Sequence, residues 1–387
     1  MSVPHLSDLP APSPDALAHS KKLVALIASE IAANAGWIPF ARYMELALYA
    51  PGLGYYTAGA RKLGREGDFI TAPEMTPLYG QTLARQAAQV LESGVDQILE
   101  IGAGSGALAA ALLTELERLG RLPRIYYILE VSPDLRERER DLLALKVPQL
   151  LERVIWLNRL PSLYQGLIIA NEVLDAMPVH LARIGAADVE EAGVTLKDDL
   201  FAWSWRPAAA ELRAAIVLLH LPPGYQTEIQ LLARAFVRSL AEAMERGVVL
   251  LIDYGFPAHE YYHAERSEGT LMCHYRHRAH ADPFFLPGLQ DITSHVDFSA
   301  VAHAGSEAGL ELLGYTGQAQ FLINCGITDI MLRTPPENTA AYLPQAAAAQ
   351  QLLSPSEMGE LFKVIAFGKN HAEPLIGFSS GNRRGTL

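Results

Sequence analysis

Residues 97–108 read Gln97-Ile98-Leu99-Glu100-Ile101-Gly102-Ala103-Gly104-Ser105-Gly106-Ala107-Leu108. The short apolar run at the start, rich in Ile and Leu, predicts a buried parallel strand. Three glycines at alternate positions predict a loop after it, and a helix is predicted to open at Ala107. A strand, a glycine turn and a helix N-terminus together form a site for a nucleotide-like ligand. Glycines let the backbone come close to the ligand, and the free N–H groups of the helix start face it.

The glycine loop fits two cofactor templates. Gly102, Gly104 and Ala107 match the dinucleotide fingerprint, whose third position accepts Gly or Ala. Gly102, Gly104 and Gly106, preceded by Glu100, match the S-adenosylmethionine loop of Rossmann-like methyltransferases. Glu100 separates the two, because a carboxylate at the strand end repels a pyrophosphate but suits the cationic amino group and sulfonium of S-adenosylmethionine. The loop and its neighbours therefore favour S-adenosylmethionine.

Strands alternate with helices on both sides of this loop. Further strands are predicted at 125–131, 153–157, 167–170 and 247–252, with helices at 133–145 and 228–245. This alternation predicts an α/β fold with a parallel sheet and right-handed crossovers. Each strand ends in a polar residue, at the edge where such sheets bind ligands. Those residues are Glu130, Asn158, Asn171 and Asp253.

Other segments are assigned to the surroundings of this core. Helices are predicted at 23–35 and 76–92, an antiparallel insertion at 179–222, a loop-rich insertion at 256–298, and a closing β-hairpin from 310–316 and 362–368. The predicted division is a disordered N-terminus (1–17), a helical cap with a cofactor clamp (18–95), a Rossmann-like core with the two insertions (96–370) and a flexible tail (371–387).

The composition restricts the partners. The 387 residues are 50% hydrophobic, and 31 Lys and Arg against 43 Asp and Glu give a net charge of −12. This balance argues against a nucleic-acid substrate and is compatible with a cationic one, such as an arginine- or lysine-bearing protein. Two cysteines, Cys273 and Cys325, predict a reducing cytoplasmic location without a disulfide framework.

Membrane and metal sites are not predicted. No apolar run approaches the ~20 residues of a membrane span, and the N-terminus lacks the pattern of a secretory signal. A soluble intracellular protein is therefore expected. The histidines of the 256–298 insertion show neither HExxH nor CxxC spacing, so no metal is predicted there.

Several separated blocks are more specific than the glycine loop. They are Tyr43-Met44, Gly54-Tyr55-Tyr56, Gly67 to Glu74, Glu100 to Gly106, Glu130-Val131-Ser132, Asn171-Glu172 with Asp175 and Pro178, Asp253-Tyr254-Gly255, and Gly288 through Asp291-Ile292-Thr293 to Val296-Asp297-Phe298. Together they resemble the MidA-like methyltransferases, whose mitochondrial members are complex I assembly factors that methylate an arginine on a subunit of that complex. The resemblance implies a Rossmann-like, seven-stranded S-adenosylmethionine-dependent methyltransferase fold with an N-terminal helical cap and insertions. It does not fix the methyl acceptor or the oligomeric state.

The cofactor residues are assigned by position. Glu130, at the second strand's end, can accept both ribose hydroxyls, while Asn158 can hydrogen-bond the adenine amino group. Gly102, Gly104 and Gly106 would pass under the methionine moiety. The remaining cofactor candidates are Gly67, Asp68, Thr71, Glu100, Val131 and Asn171.

The acceptor residues follow from the chemistry of a guanidinium. Asn171 and Glu172 occupy the strand end beside the transferable methyl group. Glu172 and Asp175 are three residues apart, so on a helical turn they would share a face, hold a guanidinium by its planar fork and act as catalytic residues with Asn171. Alternatively, Asp175 caps a turn before Pro178. Further substrate-binding candidates are Glu74, Asp291 and Asp297.

Two other functions remain open from the residues alone. An NAD-dependent dehydrogenase would use the same loop and Glu130, although no hydride-transfer site is recognisable. A non-catalytic S-adenosylmethionine-binding assembly factor would use the insertions to bind a partner protein. The intact Glu100, Glu130 and Glu172 favour catalysis.

Overall fold

The computed structural model describes residues 9–58, 71–186, 188–371 and 373–387. These residues form two compact units. The small-sheet unit consists of the described residues up to 58 with Leu174–Ala233 and Ala258–Asp297. The large-sheet unit consists of the described residues from 71 to Val173 with Arg234–Pro257 and Phe298–Leu387.

Helices occur in both units. The α-helices are α1 (Pro14–Ala33), α2 (Phe40–Tyr49), α3 (Ala72–Met75), α4 (Pro77–Glu92), α5 (Ala107–Arg118), α6 (Pro133–Lys146), α7 (Ala210–Val217), α8 (Leu231–Ala243), α9 (Ala258–Tyr261), α10 (Phe298–Glu307), α11 (Gln318–Asn324), α12 (Ile327–Met331), α13 (Thr339–Leu353) and α14 (Met358–Leu361). Short 3₁₀ helices span Pro148–Arg153, Ala264–Arg266, Ile376–Phe378 and Arg384–Thr386.

The strands are similarly distributed. They are β1 (Ile38–Pro39), β2 (Gln97–Ile101), β3 (Ile125–Leu129), β4 (Val154–Leu157), β5 (Tyr164–Asn171), β6 (His180–Ile184), β7 (Val189–Lys197), β8 (Leu200–Pro207), β9 (Gln226–Ile229), β10 (Met244–Phe256), β11 (Met272–Tyr275), β12 (Arg278–His280), β13 (Asp291–Thr293), β14 (Val296–Asp297), β15 (Glu311–Gly317) and β16 (Phe362–Lys369).

The large-sheet unit is built on seven strands in the order β15-β16-β10-β5-β2-β3-β4. The five strands from β10 to β4 are parallel, and β16 and β15 complete the sheet as antiparallel neighbours. The predicted α/β, Rossmann-like, seven-stranded fold is therefore confirmed, including the closing pair of strands. Parallel strands bring their carboxyl ends to one edge, which is where Glu130, Asn158 and Asn171 lie.

Helices α4 and α5 pack closely on each other because their facing residues are small. A Cβ at Gly80 of α4 would stand 2.6 Å from the Ala111 Cβ of α5, so only glycine permits this close approach. Helix α4 begins as predicted, since the Thr76 hydroxyl accepts a hydrogen bond from the Leu78 N–H at 3.2 Å. Ile98 of β2 and most of the buried apolar residues of both helices belong to one buried core.

The small-sheet unit contains two antiparallel sheets. One has the order β1-β7-β6-β9, with β8 also paired to β7. Strands β6, β7 and β8 lie within the segment 179–222, where an antiparallel insertion was predicted. The other is β12-β11-β13 and lies in the 256–298 segment, which was expected to be loop-rich. Each strand of this second sheet has only three or four residues, too short for a clear alternating pattern.

The structure groups the chain differently from the predicted domains. Helix α4, placed in the cap at 18–95, packs in the large-sheet unit. The two insertions instead form one unit with the N-terminal helices. Helix α1 begins at Pro14, inside the segment 1–17 predicted to be disordered, and the Ser13 hydroxyl caps it by accepting the Ala16 N–H at 3.2 Å. Polar and Pro-rich composition concealed this helix start.

The C-terminal segment is also ordered by packing. Leu375 and Phe378 are buried, and the Phe378 ring lies 5.4 Å from that of Phe321. The Asn324 Nδ2 donates to the carbonyl oxygens of Gly377 and Ser380, both at 2.9 Å. These contacts correct the prediction of a flexible tail at 371–387, because Leu375 and Phe378 attach this polar segment to the core.

Within the described residues, no helix has both the length and the apolar character needed to cross a bilayer.

Candidate functional site

The loop between β2 and α5 holds three glycines in the left-handed backbone region. The angle φ is +68° at Gly102, +60° at Gly104 and +81° at Gly106. A Cβ at Gly102 would lie 3.0 Å from Val173 Cγ2, and one at Gly106 would lie 3.2 Å from Glu139 Cα. Backbone conformation and packing therefore both favour glycine here. Gly106 has no side chain to cap α5, so the N–H groups of the first turn can face a ligand.

Glu100 lies inside the sheet beside this loop. It is 2% exposed, and the Tyr126 hydroxyl on β3 donates to its Oε2 at 2.5 Å. Burial raises the pKa of Glu100 to about 7, the hydrogen bond from Tyr126 opposes that shift, and the charge of Glu130 adds to it. Burial thus favours the protonated form of Glu100, and the hydrogen bond from Tyr126 favours the carboxylate. The predicted role of Glu100 toward the cofactor cation remains a prediction.

Glu130 follows β3 directly and is held by the backbone of the next turn. Its Oε1 accepts the Ser132 N–H at 2.8 Å, and the side chain is 5% exposed. Burial raises the pKa of Glu130, while hydrogen bonds from the Ser132 and Val131 backbone oppose the shift. The carboxylate is thus fixed at the carboxyl edge of the sheet, where it can accept hydrogen bonds from vicinal hydroxyls.

Two more predicted cofactor residues lie along this edge. Val131 follows Glu130 and is 67% exposed. Asn158 follows the last residue of β4 and is also exposed. Because β3 and β4 are adjacent and parallel, Asn158 and Glu130 follow the ends of neighbouring strands.

A third buried carboxylate was missed by sequence reasoning. Glu139, on α6, is fully buried; its Oε2 accepts the Trp156 Nε1–H at 2.7 Å, and its Oε1 has no hydrogen-bond partner among the described residues. Burial raises the pKa of Glu139 to about 8, and the charges of Glu130 and Glu100 add to the shift. In the sequence, Glu139 belongs to an alternating run of Arg and Glu that resembles a solvated helix face. Only the packing distinguishes it.

Asn171 is the last residue of strand β5, and Glu172 follows it. Their side chains take part in a chain of hydrogen bonds. The Tyr79 hydroxyl donates to Asn171 Oδ1 at 2.6 Å, and Asn171 Nδ2 donates to Glu172 Oε1 at 3.1 Å. Burial raises the pKa of Tyr79 well above its ordinary value, and the charges of Glu172 and Asp253 add to this. Tyr79 therefore remains a hydroxyl donor.

Strand β10 anchors the same turn. The Glu172 N–H donates to the Ile252 carbonyl at 2.9 Å, and the Val173 N–H donates to Asp253 Oδ2 at 3.2 Å. Asp253 is buried, and its Oδ1 also accepts the Tyr254 N–H at 2.9 Å. Asp253 was recognised as a polar strand end but not as part of the site. Tyr79 gave no sequence signal beyond its place in a helix.

The helical premise for Glu172 and Asp175 is wrong. Glu172 has φ +54°, an uncommon backbone conformation for a residue with a side chain, and the chain after it forms bends and a turn. The Met177 N–H donates to the Leu174 carbonyl within this turn. Spacing by three along a helix therefore cannot place the two carboxylates on one face.

The small-sheet unit has its own acidic cluster. The Tyr56 hydroxyl lies 3.0 Å from both carboxylate oxygens of Asp291, and Tyr49 stacks on Tyr56 with 5.5 Å between ring centroids. Burial raises the pKa of Tyr56 well above its ordinary value, and the charges of Asp291 and Asp175 contribute. The structure therefore brings Asp175 and Asp291 near one phenol. In the sequence, Tyr56 lies in a block that resembles the methyltransferase family, but it was not assigned to the site.

Asp175 is joined to the same region through its backbone. The Ser294 N–H donates to the Asp175 carbonyl at 3.0 Å, and Asp175 is buried. Asp297 is held separately, because its Oδ2 accepts the Tyr262 hydroxyl at 2.8 Å and its N–H donates to Gln230 Oε1 at 2.9 Å.

The predicted clamp is only partly within the described residues. Gly67 and Asp68 lie outside them. Thr71 precedes α3, and its carbonyl accepts the Glu74 and Met75 N–H groups at 3.0 and 3.1 Å. Ala72 packs in the same core as Leu108 of the glycine-loop helix. Thr71 and Glu74 thus belong to a helical turn of the large-sheet unit.

The arrangement in the large-sheet unit suits an adenosine-containing ligand with a positive charge. The glycine cradle admits close approach, Glu130 can accept ribose hydroxyls, and carboxylates outnumber cations at the strand ends. An anionic pyrophosphate would meet Glu100 unfavourably, whereas Glu130 fits the ribose of either cofactor. This donor set agrees with the S-adenosylmethionine template and disagrees with the dinucleotide template.

Comparison with known proteins agrees with the geometry. A family model described as "Putative S-adenosyl-L-methionine-dependent methyltransferase" matches residues 82–316, more than half of the chain. The chain is 28% identical over 388 residues to the Drosophila melanogaster protein named "Protein arginine methyltransferase NDUFAF7 homolog, mitochondrial", with 89% of this chain and 86% of that protein covered.

Two crystal structures of Burkholderia thailandensis proteins share the whole fold. The first holds S-adenosyl-homocysteine and is similar at 52% identity with a TM-score of 0.96, covering 98% of this chain and 100% of that one. The second is a native structure, similar at 51% identity with a TM-score of 0.93 and the same coverage.

Proposed function

This chain belongs to the family of S-adenosyl-L-methionine-dependent methyltransferases, and from that premise we propose that it methylates a guanidino nitrogen of a protein arginine. The family match confirms the predicted enzyme class and its cofactor. The acceptor and the roles of individual residues are the parts that we propose.

The observation that carries the proposal is the conformation of Glu172. A non-glycine residue at φ +54°, tied to Ile252 through its N–H and to Asn171 through its side chain, is held where an unconstrained chain would rarely place it. Such strain is concentrated at functional sites. A carboxylate at the end of β5, on the ligand-binding edge of a parallel sheet, can bind a guanidinium through charge-assisted hydrogen bonds.

The cofactor residues follow from the same edge. We assign Gly102, Gly104 and Gly106 to the methionine moiety, Glu130 to the ribose hydroxyls and Asn158 to the adenine. When bound, S-adenosylmethionine supplies an electrophilic methyl group on a sulfonium. The remaining cofactor assignments are Glu100, Val131, Asn171, Thr71 and, outside the described residues, Gly67 and Asp68.

The protein's part in the reaction is to orient the acceptor and to take up its proton. Glu172 would hold the guanidinium so that one nitrogen faces the methyl group, with water excluded. The nitrogen–carbon bond would form as the sulfur–methyl bond breaks, with S-adenosylhomocysteine as the leaving group, and the Glu172 carboxylate can accept the proton that the methylated nitrogen then loses. Asn171 keeps Glu172 in place through the 3.1 Å hydrogen bond from its amide.

Acidic residues elsewhere support a cationic protein acceptor. In the small-sheet unit, Asp291 and Asp175 gather around Tyr56, and Asp297 lies in the same unit. We propose these residues and Glu74 as contacts for the acceptor chain. The net charge of −12 favours association with a basic partner.

The relatives suggest the kind of partner. Curated relatives from Drosophila melanogaster and Homo sapiens are named as mitochondrial protein arginine methyltransferases. With the resemblance to assembly factors of complex I, this supports a respiratory-complex subunit as the acceptor. We also propose a cytoplasmic location, supported by Cys273 and Cys325, which are both free and buried.

The proposal is tested by labelling. The purified protein is incubated with methyl-labelled S-adenosylmethionine and a lysate from host cells that lack the gene, and labelled bands are hydrolysed to identify the methylated amino acid. We expect one or a few bands containing methylarginine. The Glu172→Gln variant should lose about 100-fold or more of this rate while binding S-adenosylhomocysteine as the parent does.

The control variant is Glu137→Gln, because Glu137 is an exposed carboxylate of the same unit and should leave transfer unchanged. Methyllysine instead of methylarginine would contradict the proposed acceptor. Binding of S-adenosylhomocysteine without any labelled band, unaffected by Glu172→Gln, would favour the non-catalytic assembly factor. Binding of NAD in place of S-adenosylhomocysteine would favour a dehydrogenase.

A further inference from the structure

We propose that Arg136 is a positioning residue for the adenosine end of the cofactor, because one guanidinium joins the ends of the two strands that carry Glu130 and Asn158. The inference rests on the proposed roles of Glu130 and Asn158. It does not depend on the identity of the methyl acceptor.

The contacts of Arg136 are specific to this edge. Its Nε donates to the Glu130 carbonyl oxygen at 2.6 Å, and its Nη2 donates to the Leu157 carbonyl oxygen. The first carbonyl belongs to the proposed ribose residue itself, and the second belongs to the residue before Asn158. A planar guanidinium has its donors in a fixed fork, so binding both carbonyls sets the distance between the two strand ends.

The strand pairing alone does not supply this link. Strands β3 and β4 are paired from Tyr126 with Val154 to Leu129 with Leu157. Beyond that point the two chains leave the sheet, and the bond from Arg136 to Glu130 is made past the last pair of residues. Arg136 therefore continues the connection into the turn that carries the cofactor residues.

The placement of Arg136 on α6 points to the same role. A positive charge in the first turns of a helix is unfavourable for the helix dipole, yet Arg136 is only three residues after Pro133, where α6 begins. Two carbonyl acceptors at the strand ends compensate for that position. Arg136 also counteracts the effect of burial on Glu130, because its charge lowers the pKa of that carboxyl, and so it favours the carboxylate that accepts ribose hydroxyls.

Binding measurements test the inference without any methyl acceptor. Arg136→Met keeps the aliphatic stem but has no hydrogen-bond donors. In a calorimetric titration, its dissociation constant for S-adenosylhomocysteine should be higher than that of the parent by about 10-fold or more. Arg136→Lys, which keeps the charge without the fork, should recover part of that loss. Methylthioadenosine, which lacks the amino-acid part, should lose affinity by the same factor, because the effect lies at the adenosine end.

The matched control is Arg138→Met, on the same helix, where Arg138 forms an ion pair with Asp134 at 2.7 Å. It should leave both dissociation constants within about twofold, since ion pairs of this exposure have little energetic effect. With labelled substrate, Arg136→Met should raise KM for S-adenosylmethionine and leave kcat at saturation and KM for the acceptor nearly unchanged. A merely structural role would not produce this split.

Two results would overturn the inference. One is unchanged S-adenosylhomocysteine affinity in a folded Arg136→Met variant. The other is a loss for S-adenosylhomocysteine that methylthioadenosine does not share. Should Arg136→Met fail to fold, Arg136→Lys decides the matter, since unchanged affinity without the fork would equally refute the role. Failure of arginine methylation, by contrast, would leave these binding results intact.

Discussion

The Tyr79 hydroxyl donates to Asn171 Oδ1 at 2.6 Å, and this one contact determines which way the Asn171 amide faces. With the amide oxygen turned to Tyr79, the Nδ2 group is turned to Glu172 Oε1 at 3.1 Å. Tyr79 on helix α4 thus orients the Glu172 carboxylate, which follows β5, through the neutral Asn171 amide. The arrangement is buried at Tyr79 and partly open at Glu172, as a positioning contact for an acceptor site would be.

We therefore expect Tyr79→Phe to impair transfer more than cofactor binding. Removal of the hydroxyl leaves the Asn171 amide free to rotate, so Glu172 loses a fixed hydrogen bond worth roughly 1 kcal/mol, or several-fold to 10-fold in rate. Transfer assays should show a lower kcat, and the S-adenosylhomocysteine affinity should change by a smaller factor, because Asn171 is also assigned to the cofactor. Tyr342→Phe, in α13, is the control. Parent-like transfer in a folded Tyr79→Phe variant would show that the contact has no role in positioning.

Gly102 of the glycine loop can be compared with Gly120, which follows α5, because an alanine at either position would be forced into the same unfavourable left-handed backbone conformation. Gly102 and Gly120 have φ of +68° and +65°, but a Cβ at Gly102 meets Val173 Cγ2 at 3.0 Å, whereas Gly120 has open space around it. Each substitution should destabilise the protein by about 1–2 kcal/mol for the left-handed backbone. Only Gly102→Ala should also weaken S-adenosylhomocysteine binding, measured by titration beside urea unfolding. If the two variants bound S-adenosylhomocysteine with equal affinity, the ligand would not bind at the glycine loop.

The predictable part of the fold is the part with strong local patterns. Strand β2 and its glycine loop combine an Ile- and Leu-rich run with three glycines, and all three adopt positive φ as the motif requires. Helix α4 likewise carries its own start signal in Thr76 and Pro77. Local physics dictates both elements, so a single sequence reveals them.

The other site residues depend on tertiary contacts. Glu139 is a buried acid only because α6 places it beneath Gly106 and against Trp156. Glu172 leaves the helical geometry expected of it because its N–H is bound by Ile252, 80 residues further along the chain. Neither the burial of an acid nor a long-range hydrogen bond leaves a local sequence signal, so these features could not be predicted.

The attachment of the C-terminal segment gives a stability prediction. Phe378 is buried and packs on Phe321, so Phe378→Ala should lower the free energy of unfolding by about 2–4 kcal/mol, measured in urea. Leu332→Ala is the control, because Leu332 is 73% exposed and its truncation should change stability by no more than about 0.5 kcal/mol. If Phe378→Ala changed the free energy of unfolding by no more than this, the prediction of a flexible tail at 371–387 would be supported instead.

The buried acids give a pH dependence whose sign can be stated. Burial raises the pKa of Glu139 to about 8, above the value of a solvated glutamate near 4.3. Between about pH 4.5 and 8 the folded protein therefore binds more protons than the unfolded chain, so stability falls as pH rises through this window. Glu139→Gln removes the ionisable group while keeping its shape. We expect this variant to gain stability relative to the parent as pH rises from 5 to 8, by on the order of a few kcal/mol.

Urea unfolding of both proteins at several pH values measures this difference. Glu137→Gln, two residues away on α6 but exposed, should show the parent's pH profile. Glu100 should contribute to the residual pH dependence of Glu139→Gln, since its pKa of about 7 acts in the same direction over a narrower window. A parallel pair of profiles for the parent and Glu139→Gln would mean that Glu139 titrates alike in the folded and unfolded states. The fully buried position of its carboxyl would then not impose the desolvation that raises its pKa.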